Sequence, residues 1–177
     1  MFYNVEIKAR TTNAAGIRTW LIEAGARYIG LDHQVDTFFH LPEGKGRLKL
    51  REGNIENALI HYHRPDQEGP KTSEVTLYKT DKGKQLKEVL QRSLGIKVVV
   101  DKQRHIYFIG NIKFHLDEVK GLGDFVEIEA IDEDGSIGLE KLKEQCTHFM
   151  EELRIGEEDL IDVAYADMLL NRPPVLP

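Results

Sequence analysis

Several short stretches of this 177-residue chain set charged side chains at alternate positions, so that each run faces one way. In NVEIKAR, Asn4, Glu6, Lys8 and Arg10 alternate with Val5, Ile7 and Ala9. Arg47, Lys49 and Arg51 alternate with Leu48 and Leu50, and Lys113, His115 and Asp117 with Phe114 and Leu116. Glu127 and Glu129 alternate with Val126, Ile128 and Ala130, Lys102 and Arg104 share a face, and Glu74 lies between Thr72 and Thr76. Ammonium and guanidinium groups gathered on one face suit a polyanion. Carboxylates beside them suit a hard divalent cation, since Mg²⁺ takes oxygen ligands and keeps several of its waters. Together these describe a site for a metal-bound polyphosphate. No glycine-rich loop ending in Lys-Ser/Thr offers a rival way of holding phosphate.

The alternation fits two architectures. In one, a half-buried sheet turns its charged face to water, and mixed charges form cross-strand pairs of about 0.2–1 kcal/mol each. In the other, the sheet closes with the charges inside and the apolar face outside under helices. Such an interior has to be wet and mixed in sign, because unpaired buried charge is costly. Periodicity alone leaves both open.

The elements that must position these residues are mostly strands. TTNAAGIRTWLIEAGA reads as a helix capped by Asn13 or Thr12, with Ile17, Trp20, Leu21 and Ala24 on one stripe and Gly25 at its end. HQVDTFFHLPEGKGRLKLRE reads as two strands around a Pro/Gly turn, and ALIHYHRPD and TSEVTLYKT as further strands. The faces Ile60-Tyr62-Arg64 and Leu59-His61-His63 cannot be ranked by periodicity. KGKQLKEVLQRSLG is a helix whose Lys84, Lys87 and Arg92 form a solvated face. Gly110-Asn111 signals a hairpin between two strands, and GLGDFVEIEAID is the last strand. Helices are expected over 137–153 and 157–170. Short turns between successive strands favour an antiparallel sheet in an α+β fold.

Composition narrows the classes. Hydrophobic residues make up 41% and charged residues 31%, the balance of a globular chain, and the length suits a single domain spanning 1–177. A net charge of −6 argues against a nucleic-acid partner. The single Cys146 forms no internal disulfide, and no Cys/His cluster suggests zinc. With no long apolar run and no leader-like start, no membrane partner and a cytoplasmic setting are expected. Nothing specifies an oligomer, which leaves a homodimer open.

NVEIK resembles the EXEXK strand of the CYTH superfamily, the triphosphate tunnel enzymes that include class IV adenylyl cyclases and thiamine triphosphatases, with Asn4 where the family's first Glu would stand. VDTFFHLPEGKGRLKLRE is similar to that family's aspartate-aromatic stretch and basic strand. DKQRHIYFIGNIKFHLDEVKGLGDFVEIEA resembles its long motif of a basic pair, an Asp and a final E-x-E, and YADMLL its Tyr-x-x-Leu-Leu. The resemblance implies an antiparallel closed β-barrel, the triphosphate tunnel, with a polar charged lumen and helices packed outside. It places Lys8, Lys49, Arg51, Arg64, Lys102 and Arg104 on the triphosphate, with Arg10 and Arg47 on the same faces. It places Glu6, Asp117, Glu127 and Glu129 on Mg²⁺ or Mn²⁺. Lys8, Arg51, Glu74 and Glu129 would be catalytic, Glu74 assisting water or pairing with basic residues. Asp36 has a turn or capping role open to it beside catalysis. His61, His63 and His115 read as packing or hydrogen-bonding residues, and Tyr165 as a cover of the tunnel mouth or a core residue. The resemblance implies a triphosphate-processing enzyme of either kind, and hydrolysis of a small organic or inorganic triphosphate is expected because water is the easier nucleophile to admit. A class IV adenylyl cyclase making cyclic AMP and pyrophosphate from ATP, and a non-catalytic triphosphate-binding module, are the alternatives.

Overall fold

The computed structural model describes residues 2–63, 71–81 and 83–172; Arg64 lies outside them. Eight strands run antiparallel: β1 (Phe2–Arg10), β2 (Arg27–Phe39), β3 (Arg47–Glu52), β4 (Ala58–His63), β5 (Lys71–Lys79), β6 (Ile96–Ile109), β7 (Ile112–Val119) and β8 (Gly123–Asp132). They pair in the order β1-β5-β4-β3-β2-β6-β7-β8, and β8 pairs back onto β1 to close the ring. Helices α1 (Ala14–Glu23), α2 (Gly83–Leu94), α3 (Leu139–Glu152) and α4 (Tyr165–Leu170) lie outside it. Among the described residues no helix is long and apolar enough to cross a membrane.

Closure decides between the two architectures. Asn4, Lys8, Arg51, Lys102, Arg104, Asp117 and Glu127 are all buried, so the charged face is the inside of the ring and not a solvated surface. The alternating apolar residues point outward. Val5, Ile7 and Ala9 of β1, Phe114 of β7 and Val126 and Ile128 of β8 form the main core with Ile17 and Leu21 of α1 and Leu142 and Cys146 of α3. This core stabilises the ring from outside and frees its interior for polar groups. Asn13 caps α1, its Oδ1 accepting from the Gly16 N–H at 3.1 Å. Burial pushes the Cys146 thiol up to about 12, so it packs as an inert small side chain.

Two elements differ from the sequence reading. Strand β2 begins at Arg27, six residues before the expected strand, because it pairs with β6 along almost its whole length. The helix expected over 157–170 is a single 3-10 turn at Glu157–Asp159, an extended strap, and then α4. The strap is extended because the end of β1 takes its backbone: the Ile161 N–H donates to the Lys8 carbonyl at 2.9 Å, and Leu160 bridges Ala9. This drape sets α4 across one end of the ring.

Candidate functional site

The ring encloses a cavity of about 410 Å³ lined by side chains of all eight strands and by α4 residues Tyr165 and Ala166. Its charges gather around two centres. The first is Asp36 on β2, where Arg51 of β3 reaches both carboxylate oxygens at 2.8 Å, and Lys49 and Lys102 each donate to Oδ2 at 3.0 Å. Register explains the meeting: Asp36 lies opposite Arg51 on β3, and Lys102 reaches in from β6 on the other side. Burial works against the Asp36 charge, but Arg51, Lys102 and Lys49 outweigh it and hold its carboxyl well below the usual range.

The second centre is Arg104 on β6, which binds Asp117 of β7 through Nε at 2.6 Å and Glu127 of β8 through Nη2 at 2.8 Å. Glu127 also meets His115 Nδ1 at 3.0 Å and Lys8 Nζ at 3.9 Å. Burial and then the Arg104 charge lower the His115 pKa, against the pull of Glu127. Tyr165 of α4 donates its hydroxyl to Asp117 at 2.9 Å and lays its ring 4.2 Å from Lys8 Nζ. It lines that end of the cavity and also packs with Phe125 and Val100 in a second buried cluster, and Arg47 ties the same helix down through Asp167 at 2.6 Å.

Lys102 lies near both centres. Burial first, and then Arg104, Arg51 and Lys49, bring its pKa down to about 7 against the pull of Asp36. Its charge is therefore readily lost near neutral pH.

Glu6 and Glu129 face each other across β1 and β8 and both line the cavity. The Asn4 amide donates to Glu129 Oε1, and Asn4 Oδ1 is buried with no hydrogen-bond partner. Two carboxylates and an unpartnered amide oxygen are hard oxygen donors, and they fit a divalent cation that keeps waters as its other ligands.

The remaining expected residues divide. Lys8, Lys49, Arg51, Lys102 and Arg104 share the cavity as one set. The four metal carboxylates do not share one position: Asp117 and Glu127 are committed to Arg104, and among the described residues no three His, Cys, Asp or Glu side chains converge as a ligand group. Glu74 is a correction. It pairs with Tyr3 and His63 on the outer face and is exposed, because β5 turns Val75 and Leu77 inward. Asp36 is neither a turn nor a cap but an internal counter-ion. His61 and His63 point out, and His61 Nε2 meets the Lys45 carbonyl at 2.7 Å.

Glu56 was missed. It binds Arg51 at 3.0 Å, Gln34 at 3.0 Å and Lys113 from the loop between β3 and β4. That loop is held by buried Asp32, whose carboxylate accepts the backbone N–H groups of Asn54, Ile55 and Glu56 at 2.6, 2.9 and 3.0 Å. A loop residue has no period to betray it; only the neighbouring basic strand could have hinted at a partner.

An antiparallel ring with opposed cations and carboxylates along its bore defines the tunnel class of fold. The chain belongs to the CYTH domain family, whose profile matches residues 3–165. Enzymes of this family are triphosphatases or adenylyl cyclases and generally use divalent metal ions. A protein of Methanocaldococcus jannaschii named as a candidate adenylate cyclase is 26% identical over 172 residues, covering 93% of this chain and 97% of its own length. A solved structure from Pyrococcus horikoshii superposes with a TM-score of 0.78 at 26% identity, over 93% of this chain and 98% of the other. A candidate adenylyl cyclase from Hippeastrum, described as having a dominant triphosphatase activity, shares the fold with a TM-score of 0.57 at 17% identity, over 88% and 89% of the two chains.

Proposed function

We propose that the chain hydrolyses a small triphosphate in a divalent-metal-dependent reaction inside the ring. The observation that carries this reading is the surplus of cations about Asp36 beside the oxygen donors of Glu6, Glu129 and Asn4. Lys49, Arg51 and Lys102 would hold phosphate oxygens, and Lys8 and Arg104 would neutralise charge building on the bridging oxygen as it leaves. Glu6, Glu129 and Asn4 would hold Mg²⁺ or Mn²⁺, which supplies Lewis-acid polarisation and orients the nucleophile. Water attacks the terminal phosphorus, the bond to the bridging oxygen breaks, and orthophosphate leaves. Catalytic roles rest on Lys8, Arg51 and Glu129. Glu74, on the outside, has none.

The name of the M. jannaschii relative favours a second reading, cyclisation of ATP by its ribose hydroxyl with loss of pyrophosphate. Incubation with ATP, thiamine triphosphate and tripolyphosphate, each with Mg²⁺ or Mn²⁺, separates the readings by their products. Orthophosphate is expected. Cyclic AMP with pyrophosphate would overturn hydrolysis, and binding without turnover would leave a triphosphate-binding module. Arg51→Ala and Glu129→Ala should each abolish turnover.

A further inference from the structure

Five described carboxylates line the cavity, and they differ in what holds them. Glu6, Asp36, Glu127 and Glu129 stand on strands, whereas Glu56 stands on the β3–β4 loop. Arg51 bridges the two kinds. Its Nε and Nη2 hold Asp36, whose side chain is 2% exposed, and its Nη1 donates to Glu56 Oε2 at 3.0 Å. Gln34 Nε2 donates to the same oxygen at 3.0 Å, and Lys113 of β7 donates to Oε1. A guanidinium, an ammonium and an amide thus converge on one carboxylate whose side chain is 28% exposed. Those are the donors of an oxyanion seat, filled by an acid that borders water.

The backbone behind that acid is fixed. The fully buried Asp32 accepts from the N–H groups of Asn54, Ile55 and Glu56. Asn57 clasps Gly53 from both sides, Nδ2 donating to the Gly53 carbonyl at 2.9 Å and Oδ1 accepting from the Gly53 N–H at 3.0 Å. A Cβ on Gly53 would lie 2.6 Å from the Glu56 carbonyl oxygen, so the turn has no slack. What remains free to move is the Glu56 side chain, which has water beside it. Rotamer changes at such side chains are fast and need no opening of the ring.

We infer that Glu56 is a displaceable internal counter-ion, which pairs Arg51 and Lys113 while the ring is empty and yields them to a phosphoryl group of the entering triphosphate. This rests on the triphosphate reading above and deepens it, adding Lys113 and Gln34 to the groups that meet phosphate. The exchange keeps buried charge compensated in both states. In the empty ring the two cations are spared the penalty of standing unpaired. In the loaded ring their N–H groups face phosphate oxygens, and the carboxylate turns out into water, where it is well solvated. The fixed backbone keeps Glu56 at hand, so it returns as the product departs. A triphosphate that has to displace it binds more weakly than to a ring without it, by the fraction of time the seat stands open.

The first test is carboxyl footprinting of the metal-free protein with a water-soluble carbodiimide and an amine label, read by mass spectrometry. Tripolyphosphate should raise labelling at Glu56 severalfold, whereas a ligand settling beside a fixed acid would shield it. Unchanged or lowered labelling would overturn the inference. The second test is the Kd for tripolyphosphate on metal-free protein. Glu56→Gln, which keeps the shape and loses the charge, should bind about tenfold more tightly than wild type. Equal or weaker binding would overturn the inference and leave the triphosphate reading standing. Adding Lys113→Met to Glu56→Gln should cancel the gain, and a gain that survives it would overturn the part given to Lys113. The footprint is read on wild type, so it decides even if a variant unfolds. Tripolyphosphate that neither binds the metal-free protein nor turns over with Mg²⁺ would overturn the triphosphate reading itself.

Discussion

Asp36 and Arg104 are both buried inside the ring on neighbouring strands, and they are charge inverses. Asp36 is one anion shared by Lys49, Arg51 and Lys102, whereas Arg104 is one cation shared by Asp117 and Glu127. Interior charges that serve only folding do best when matched one to one, because each leftover charge keeps its desolvation penalty. The first keeps a positive surplus even with Glu56 on Arg51, whereas Lys8 beside Glu127 brings the second to balance, and both lie within reach of the same cavity. The surplus about Asp36 is what a polyanion would complete.

The contrast can be broken from either side. The largest effect is expected for Asp36→Ala, which strands three buried cations. Chemical denaturation should show a loss of about 3–5 kcal/mol, and added tripolyphosphate should raise the melting temperature of the variant more than that of the wild type. An equal rise in both would mean that Asp36 does not stand in the polyanion's place. Arg104→Met should cost slightly less, about 3 kcal/mol, because Tyr165 and His115 still contact Asp117 and Glu127. Its melting temperature should now rise steeply with Mg²⁺, and a flat response would remove the second centre from any metal role.

Lys102 sharpens the comparison through pH. Its pKa in the folded chain, about 7, lies below the ordinary lysine value of 10.5. Below pH 7 it is charged in both folded and unfolded chains, and the burial penalty is fully felt. Between about 7 and 10 only the unfolded chain keeps the proton, so this contribution to stability improves as pH rises. Affinity for tripolyphosphate runs the other way and should fall by up to about tenfold per unit above pH 7. Titration calorimetry on Lys102→Met should show that inflection gone. The smallest effect belongs to Asn4→Glu, which sets a third carboxylate against Glu129 and Glu6. Stability in EDTA should drop by about 1 kcal/mol and Mg²⁺ should restore it. An unchanged metal response would take Asn4 out of the metal site.

Much of the lumen was legible because a strand's period of two is the same in an open sheet and a closed one. Periodicity groups Lys8, Lys49, Arg51, Lys102, Arg104, Glu127 and Glu129 on charged faces, and the family resemblance is what turns those faces inward. The rule that polar residues face inward then failed on β5, beside β4 whose faces periodicity had left unranked. There Thr72, Glu74 and Thr76 looked like the lumen face, and the apolar alternates were the ones inside. No local pattern can reveal that reversal, since it depends on which neighbours each strand pairs with. Asp36 was hidden for a similar reason: its carboxylate means little until β3 and β6 flank it. Glu56 has no regular element at all, and its position depends on a hydrogen-bonded tether from Asp32, some twenty residues away in sequence.

That tether has a consequence for any anion entering the ring. Glu56 already occupies Arg51 and Lys113, and the pull of those cations, overcoming its burial, keeps its carboxyl far below the ordinary range. An arriving oxyanion does not fill a vacancy there but replaces a resident acid. Its measured affinity is the difference between two anions competing for the same cations, and the tightness of the Asp32 loop sets how readily the resident gives way.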